Sequence, residues 1–487
     1  MFPSLSDFLP ALSEIYIIIS TLLMLILGIS KLEGSYNALK VIAPLVIIAS
    51  LIILLFLPNT NAHTFNGVFV SDYFSYATKF FILMMAFFWM LIIPRGHFFA
   101  THKVFETTIL LMCLVFSMMM MVSTLDFIVA FISLEISSLV LYIMLAMNRE
   151  NSNSVRSAMM YFIFGSIATA CFLFGISFLY GATGSTHFDN IATDIHTAVA
   201  QHKNITLPVL GVFFIVLAFG FKLALAPLHF WLADIFKGAS FSTILILATL
   251  PKFAEMMLFI RILIQALPDL KHYWQPLLLV YSSGSFIFGT FGALSQTSIK
   301  RFFAYSATAN MGFVLLGVIQ GSEIGLASSG FYMFLYTVTM FAIFAIFVIF
   351  EKKGYEIETF EHLNQIAPNY KGISFLLGLL IISLAGLPFA PGFFAKVYVL
   401  YAAIFQESYS LTLIAILSSI ISVAYYLVFI KTISFNGVAS TVKQSVSINA
   451  RFFKVSILTI IACMISLVFC LNFWIHVTHK TAISLMY

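Results

Sequence analysis

Long apolar runs, interrupted by short polar clusters, set the pattern of this 487-residue chain. A helix crossing the hydrocarbon of a bilayer needs about 20 mainly apolar residues. Windows of that size predict fourteen spans, at about 12–30, 40–58, 73–94, 105–122, 125–147, 157–181, 206–227, 241–265, 276–298, 302–320, 325–350, 372–401, 411–433 and 453–475. The seventh ends in Ala226-Pro227, and the twelfth carries Leu387-Pro388 and Ala390-Pro391. Proline removes a backbone donor and clashes with the preceding turn, so both spans are expected to break in mid-membrane. Strand alternation is absent, which argues against a barrel. The pattern predicts an all-α polytopic membrane protein.

Composition agrees. Hydrophobic residues make up 61% of the chain and charged residues 9%, with a mean hydropathy of +1.05. A soluble domain carries about 25% charged residues, because its surface must face water. The polar stretches at about 182–204, around 351–371 and at 434–452 can each hold a short surface helix at most. There is no soluble head, no nucleotide-binding loop and no G-x-G-x-x-G, so no place for NAD, flavin or ATP is expected in this chain. Cys113, Cys171, Cys463 and Cys470 lie singly in apolar runs, a pattern that supports neither a disulfide framework nor a thiolate-bound metal. His476 and His479 are close together near the C-terminal end, where an interfacial role is expected rather than a metal site. The start, Met1-Phe2-Pro3-Ser4, has no basic region, so no cleaved signal peptide is expected.

The net charge of +5 matters less than where the basic residues fall. With fourteen spans, the odd-numbered connections hold sixteen of the 24 Lys and Arg, whereas the even connections and tails hold Lys203, Lys271 and Lys480. Cytoplasmic loops are the basic ones. Both termini are therefore expected outside the cytoplasm. The remaining five, Lys79, Lys222, Lys252, Arg261 and Lys396, fall within or at the edges of spans.

An internal echo accompanies the broken spans. Ala226-Pro227-Leu228-His229-Phe230 and Ala390-Pro391-Gly392-Phe393-Phe394 share an A-P-x-x-F pattern. Their offset of five spans would give the two units opposite orientations, as in inverted-repeat transporters that bind near the midplane at broken helices.

A charge at the bilayer centre costs about 2.5–3.5 kcal/mol on insertion scales, so buried charges point to ion pathways. Glu135 lies near the middle of the fifth span, Lys222 five residues before Pro227, Lys252 directly after Pro251 in the eighth span, and Lys396 five residues after Pro391. Structural alternatives stand beside these roles: Glu135 as a carboxylate tying helices together, Lys252 as a side chain snorkelling to the interface. Lys222 and Lys396 adjoin the breaks, where freed backbone groups admit water. Burial disfavours the charged forms of lysine and glutamate, and pairing favours both. A lysine drawn away from its carboxylate thus releases a proton without any redox group. His229, two residues after Pro227, is either a relay or a packing residue. Glu255, three residues from Lys252, shares its helix face and either pairs with it or faces outward. Asp126 reads as a helix cap; Asp234, Lys237, Lys300 and Arg301 read as solvated or orientation-setting charges; and Lys79 reads as a snorkelling residue near a helix start.

These segments resemble a known family. Phe131-Ile-Ser-Leu-Glu135-Ile-Ser-Ser-Leu139, Gly220-Phe-Lys222-Leu-Ala-Leu-Ala-Pro227-Leu-His229-Phe-Trp231-Leu-Ala-Asp234, Leu294-Ser-Gln-Thr-Ser-Ile-Lys300-Arg301 and Leu384-Ala-Gly-Leu-Pro388-Phe-Ala-Pro391-Gly-Phe-Phe-Ala-Lys396 look like the antiporter-like membrane subunits of respiratory complex I, the bacterial proton-pumping NADH:quinone oxidoreductase. The match is ordered over about residues 105–430. Lys396, where one sibling has a glutamate, the absence of another sibling's long lateral helix, and the overall length point to the shortest member. The resemblance implies two inverted five-helix repeats at 105–265 and 276–433, preceded by three helices in 1–104 and followed by a last helix and tail in 453–487. It implies Glu135 as the charge partner, Lys222 as the pump lysine, Lys252 and His229 as relays, and Lys396 as the exit-side proton carrier. It implies a multi-pass protein of the bacterial inner membrane, with no cofactor in this chain. NADH, FMN, iron–sulfur clusters and quinone would belong to partner subunits of the complex. A cation/proton antiporter, alone or in a multi-protein assembly, is the rival reading. Pro251 and Glu255 depart from the family pattern.

Overall fold

A computed structural model describes residues 5–30, 35–57, 62–92, 101–434 and 471–486. The helices are α1 (Leu5–Phe8), α2 (Leu12–Ile29), α3 (Ser35–Phe56), α4 (Tyr73–Ile92), α5 (Thr101–Ser123), α6 (Phe127–Ala146), α7 (Ser152–Thr183), α8 (Phe188–Ala200), α9 (Thr206–Lys222), α10 (Phe230–Gly238), α11 (Phe241–Leu247), α12 (Leu250–Arg261), α13 (Lys271–Leu294), α14 (Ile299–Gln320), α15 (Glu323–Lys352), α16 (Phe360–Ile366), α17 (Lys371–Ala385), α18 (Pro391–Phe405), α19 (Tyr409–Ser434) and α20 (Leu471–Met486). Among the described residues, twelve helical segments are long and apolar enough to cross a membrane; Thr206–Lys222 and Pro391–Phe405 are shorter apolar helices. Most of the predicted span 453–475 lies outside the described residues, as does the polar stretch 435–452. The all-helical expectation needs one small amendment. Two three-residue strands, β1 (Ala62–Thr64) and β2 (Phe69–Ser71), form an antiparallel hairpin.

The element boundaries follow from local chemistry. Asp126 caps α6, its carboxylate accepting from the amides of Ile128 and Val129 at 2.8 and 3.2 Å, and Thr186 donates to the other oxygen at 2.6 Å. The polar stretch after α7 folds as the amphipathic α8, which buries Phe188, Ile191 and Ile195. Long helices at the centre, α14 and α15, are enclosed nearly all round, while outer helices such as α2, α3 and α19 leave many large apolar side chains exposed, as lipid-facing surfaces do.

Both predicted breaks are present. Helix α9 stops at Lys222 and the chain resumes as α10 at Phe230; α17 stops at Ala385 and α18 starts at Pro391. A third break was not predicted. The eighth span divides into α11 and α12 at Ala248-Thr249, and Pro251 sits at the first turn of α12. There the missing N–H costs nothing, since the first amides of a helix have no partner within it. Pro251 is thus accounted for: it starts a helix inside the membrane.

Candidate functional site

Each of the three predicted lysines stands beside a break. Lys222 is the last residue of α9, Lys252 lies in the first turn of α12, and Lys396 lies near the start of α18. A broken helix leaves carbonyls and amides without intrahelical partners, and these provide polar contacts for a cation in an otherwise apolar interior. Lys396 shows this directly. Its Nζ donates to the carbonyl of Ala385, the last residue of α17, at 2.8 Å and to Ser419 Oγ at 3.3 Å.

The first cluster gathers around Lys222. Its Nζ donates to Ser138 Oγ on α6. Ser138 follows Glu135 by three residues, on the same helix face. Glu135 is half-buried and accepts from Thr169 Oγ1 on α7 at 3.0 Å. Glu135 and Lys222 are therefore neighbours across a serine, with no contact ion pair between them.

Two small cavities meet at Lys222. One, of about 10 Å³, is lined by Thr169, Leu134 and Phe219 as well as Lys222. The other, also about 10 Å³, is lined by Lys222, Lys252, Glu255, Tyr161 and Trp231. That volume suits roughly one water each. Lys252 and Glu255 are each only 3% exposed, so snorkelling does not describe Lys252. Glu255 points inward rather than outward, onto the cavity that Lys222 also lines.

His229 is not in this group. Its ring lies 5.9 Å from those of Phe288 on α13 and Tyr305 on α14. It precedes α10 without a side-chain capping bond and faces the helix pair whose second member carries part of the other cluster.

That second cluster lies between α14, α15, α17, α18 and α19. Lys396 Nζ stands 5.1 Å from the centre of the Phe313 ring, which stacks on Tyr332. Tyr332 donates to Asn310 Oδ1 at 2.8 Å, Asn310 donates to the Ser306 carbonyl at 2.8 Å, and Ser306 and Tyr426 hydroxyls are 2.5 Å apart. A cavity of about 20 Å³ opens onto Asn310, Tyr332, Tyr336, Thr339 and Ser383. Lys396 makes no ion pair among the described residues. Sequence reasoning passed over Asn310, Tyr332 and Tyr426. Their signal was available: uncharged polar side chains inside apolar spans, each needing a partner.

Other charges also turn inward, some of them read as snorkelling or solvated. Lys79 does not snorkel; it is 1% exposed and its Nζ lies 2.6 Å from Glu14 Oε1. The reason is that α2 supplies a carboxylate at the same depth as α4. Arg261 is fully buried and pairs with Asp72 at 2.9 Å. Lys300 is not simply solvated: it donates to the Ala239 carbonyl at 2.6 Å, satisfying the end of α10, and lies over the Phe241 ring. Asp234 and Arg301 do form a partly exposed pair, at 2.5 Å. No grouping of three potential metal ligands occurs among the described residues.

Residues 124–422 match the family model described as "NADH:quinone oxidoreductase/Mrp antiporter, TM". The chain is 32% identical over 437 residues to NADH-quinone oxidoreductase subunit N of Paramagnetospirillum magneticum, covering 88% of either protein. The chain belongs to the subunit N family. The subunit N fold extends further in solved structures. A chain of respiratory complex I from Thermus thermophilus matches with a TM-score of 0.76 at 22% identity, covering 94% of this chain and 98% of that one. A chain of the archaeal membrane-bound sulfane sulfur reductase matches with a TM-score of 0.85 at 19% identity, covering 98% and 97%. At those identities the likeness is one of fold. Within this subunit N family chain, Glu135, Lys222 and Lys252 are brought together, Lys396 stands apart, and His229 lies at the side of α13 and α14.

Proposed function

We propose that this chain carries protons outward across a bacterial inner membrane as the N-type subunit of an NADH:quinone oxidoreductase. Quinone is reduced in partner subunits, which hold NADH, FMN, the iron–sulfur clusters and the quinone; this chain contributes no complete active site and no cofactor. The observation that carries the reading is the placement of Lys222, Lys252 and Lys396 at three helix breaks inside the apolar interior. Membership in the subunit N family supplies the assembly.

The proton path runs through Glu135, Lys222, Lys252 and Lys396, with His229 as relay. Lys222 is held by Ser138 in the state described. Moving toward or away from a carboxylate changes its preference for the charged form, so helix displacement alone loads and unloads it. Lysine suits this role because its protonation responds to surroundings, whereas arginine stays charged. Asn310, Tyr332 and Tyr426 form a hydroxyl and amide network beside Lys396 that orders water without competing charge. The finer architecture belongs to the same reading: fourteen membrane helices, inverted repeats at 105–265 and 276–433, and both termini on the outer face, supported by the basic-residue asymmetry.

The test is NADH-driven acidification by the assembled complex in proteoliposomes. Lys222→Ala and Glu135→Ala are expected to abolish or strongly lower pumping with assembly retained; full redox-coupled pumping in either would refute that residue's role. Purification in mild detergent is expected to retain redox subunits. The family description also covers Mrp antiporters. Sodium tolerance conferred by this chain alone, in antiporter-deficient cells, would favour that second reading.

A further inference from the structure

Glu255 belongs to no part of the path outlined above, yet it is the carboxylate placed between two of its lysines. It is 3% exposed and has neither a hydrogen bond nor an ion pair among the described residues. It opens onto the cavity shared with Lys222 of α9 and Lys252 of its own helix. Two further groups at that cavity are unsatisfied: Lys252 Nζ and Trp231 Nε1 are buried with no hydrogen-bond partner. A buried ammonium without a partner is costly, and so is a buried carboxylate. A cavity of about 10 Å³ holds roughly one water, and a water there needs two to four polar partners. Lys222, Lys252, Glu255 and Trp231 provide them.

The position of Lys222 sharpens the point. On one side it reaches Ser138 and the small cavity that leads to Thr169, the partner of Glu135. On the other it lines the Glu255 cavity. A single lysine therefore stands between two carboxylates on different helices, α6 and α12. The cation has a stabilising partner on either side and contacts neither, the arrangement expected of a group that moves between two settings.

We propose that Glu255 is a proton-carrying residue of the cluster around Lys222, which passes a proton from Lys222 to Lys252 through one bridging water. The inference rests on the proton-carrying reading of Lys222 given above. In the transfer, the Lys222 ammonium gives a proton to the water, the water gives one to the Glu255 carboxylate, and the resulting carboxylic acid protonates neutral Lys252. Charge is conserved at each step, and no oxidant or reductant is needed. Glu255 is the group placed to take the proton because it lines one cavity with both lysines and no fixed hydrogen bond holds it in one setting.

The intact complex in proteoliposomes provides the test, with NADH oxidation and lumen acidification followed across a pH series. The titratable groups around Glu255 are Lys222, Lys252, Tyr161 and Tyr142. A positioned proton carrier is worth roughly 100-fold on its own step, so coupled turnover of Glu255→Gln is expected to fall by about tenfold or more. Glu255→Asp is expected to restore part of it with a displaced pH optimum. Glutamine keeps the shape and the hydrogen-bonding capacity, so a merely structural Glu255 predicts wild-type turnover and an unchanged pH profile in Glu255→Gln; that result overturns the inference. Where Glu255→Gln fails to assemble, Glu255→Asp decides: a displaced optimum supports the relay, and a wild-type rate and optimum overturn it. Lys222→Ala separates the two levels. Wild-type pumping in Lys222→Ala overturns both this inference and the reading it rests on. Lost pumping in Lys222→Ala beside wild-type behaviour in Glu255→Gln overturns the relay alone.

Discussion

Replacing Lys79 with methionine leaves the Glu14 carboxylate in a site where its side chain is 2% exposed and its cation is gone. In the native chain the two charged atoms lie 2.6 Å apart, and Ser13 Oγ donates to the other carboxylate oxygen at 2.7 Å. Lys79 Nζ also stands 4.6 Å from the centre of the Phe69 ring. Removing one member of a buried pair costs about 3–5 kcal/mol, whereas replacing both by apolar groups of similar volume is often neutral. Lys79→Met and Glu14→Leu are therefore each expected to lose about 3–5 kcal/mol, a two- to four-decade shift in the folding equilibrium. The double variant leaves neither charge behind and is expected to be more stable than either single one, which requires a coupling larger than either single loss, above about 3 kcal/mol. Equilibrium unfolding of the four proteins in mixed micelles, followed by tryptophan fluorescence, measures the cycle. Single variants within about 0.5 kcal/mol of wild type, or losses that simply add, would refute the buried pairing.

Two further outcomes follow from the same geometry. Asp72 lies just before α4, outside the spanning segments, and pairs with Arg261. Burial pushes its carboxyl up, but the Arg261 charge, with hydrogen bonds from Arg261 and Ser75, outweighs this and holds it below its ordinary value. A carboxyl lowered by folding stabilises the protein above its unfolded value of about 3.9, and that contribution drains away as pH falls through the lower folded value. Acidification below about pH 4 is thus expected to destabilise wild type more steeply than Asp72→Asn, and parallel stability–pH curves would contradict this. Gly386 has φ +72°, and a Cβ there would lie 2.6 Å from Lys396 Cδ. Gly386→Ala is expected to cost about 1 kcal/mol in backbone strain and to displace Lys396 from the Ala385 carbonyl, lowering pumping in assembled complex; unchanged pumping would show that the lysine tolerates the shift.

The breaks at Pro227 and Pro391 were legible because proline states its effect locally. The break at Ala248-Thr249 was not. It falls three residues before Lys252, inside a mainly apolar run, and Pro251 reads equally as a kink or a first-turn residue until the helix start is known. Lys222, Lys252, Lys396 and Glu135 stood out because each is a charge within an apolar span. Their grouping did not. The family resemblance implied Glu135 as the charge partner of the pump lysine; the fold sets Ser138 at Lys222 and Thr169 at Glu135. Glu255 had two open readings, and only the convergence of α9, α10 and α12 on one cavity shows that it faces Lys222 as well as Lys252.

By itself, the sequence determined that the chain lives in lipid, where its apolar runs lie, and that two of them break near Pro227 and Pro391. All of these follow from the transfer free energy of single residues or from local backbone sterics. The tertiary structure decided who meets whom. Glu14 finds Lys79, and Asp72 finds Arg261 across a separation of 189 residues, so a lysine read as snorkelling and an arginine of an apolar span are both held inside by partners from distant parts of the chain. Removing the partner of a paired buried charge is strongly destabilising. Which partner is available depends on helix packing, a property of the whole fold that no single stretch of residues contains.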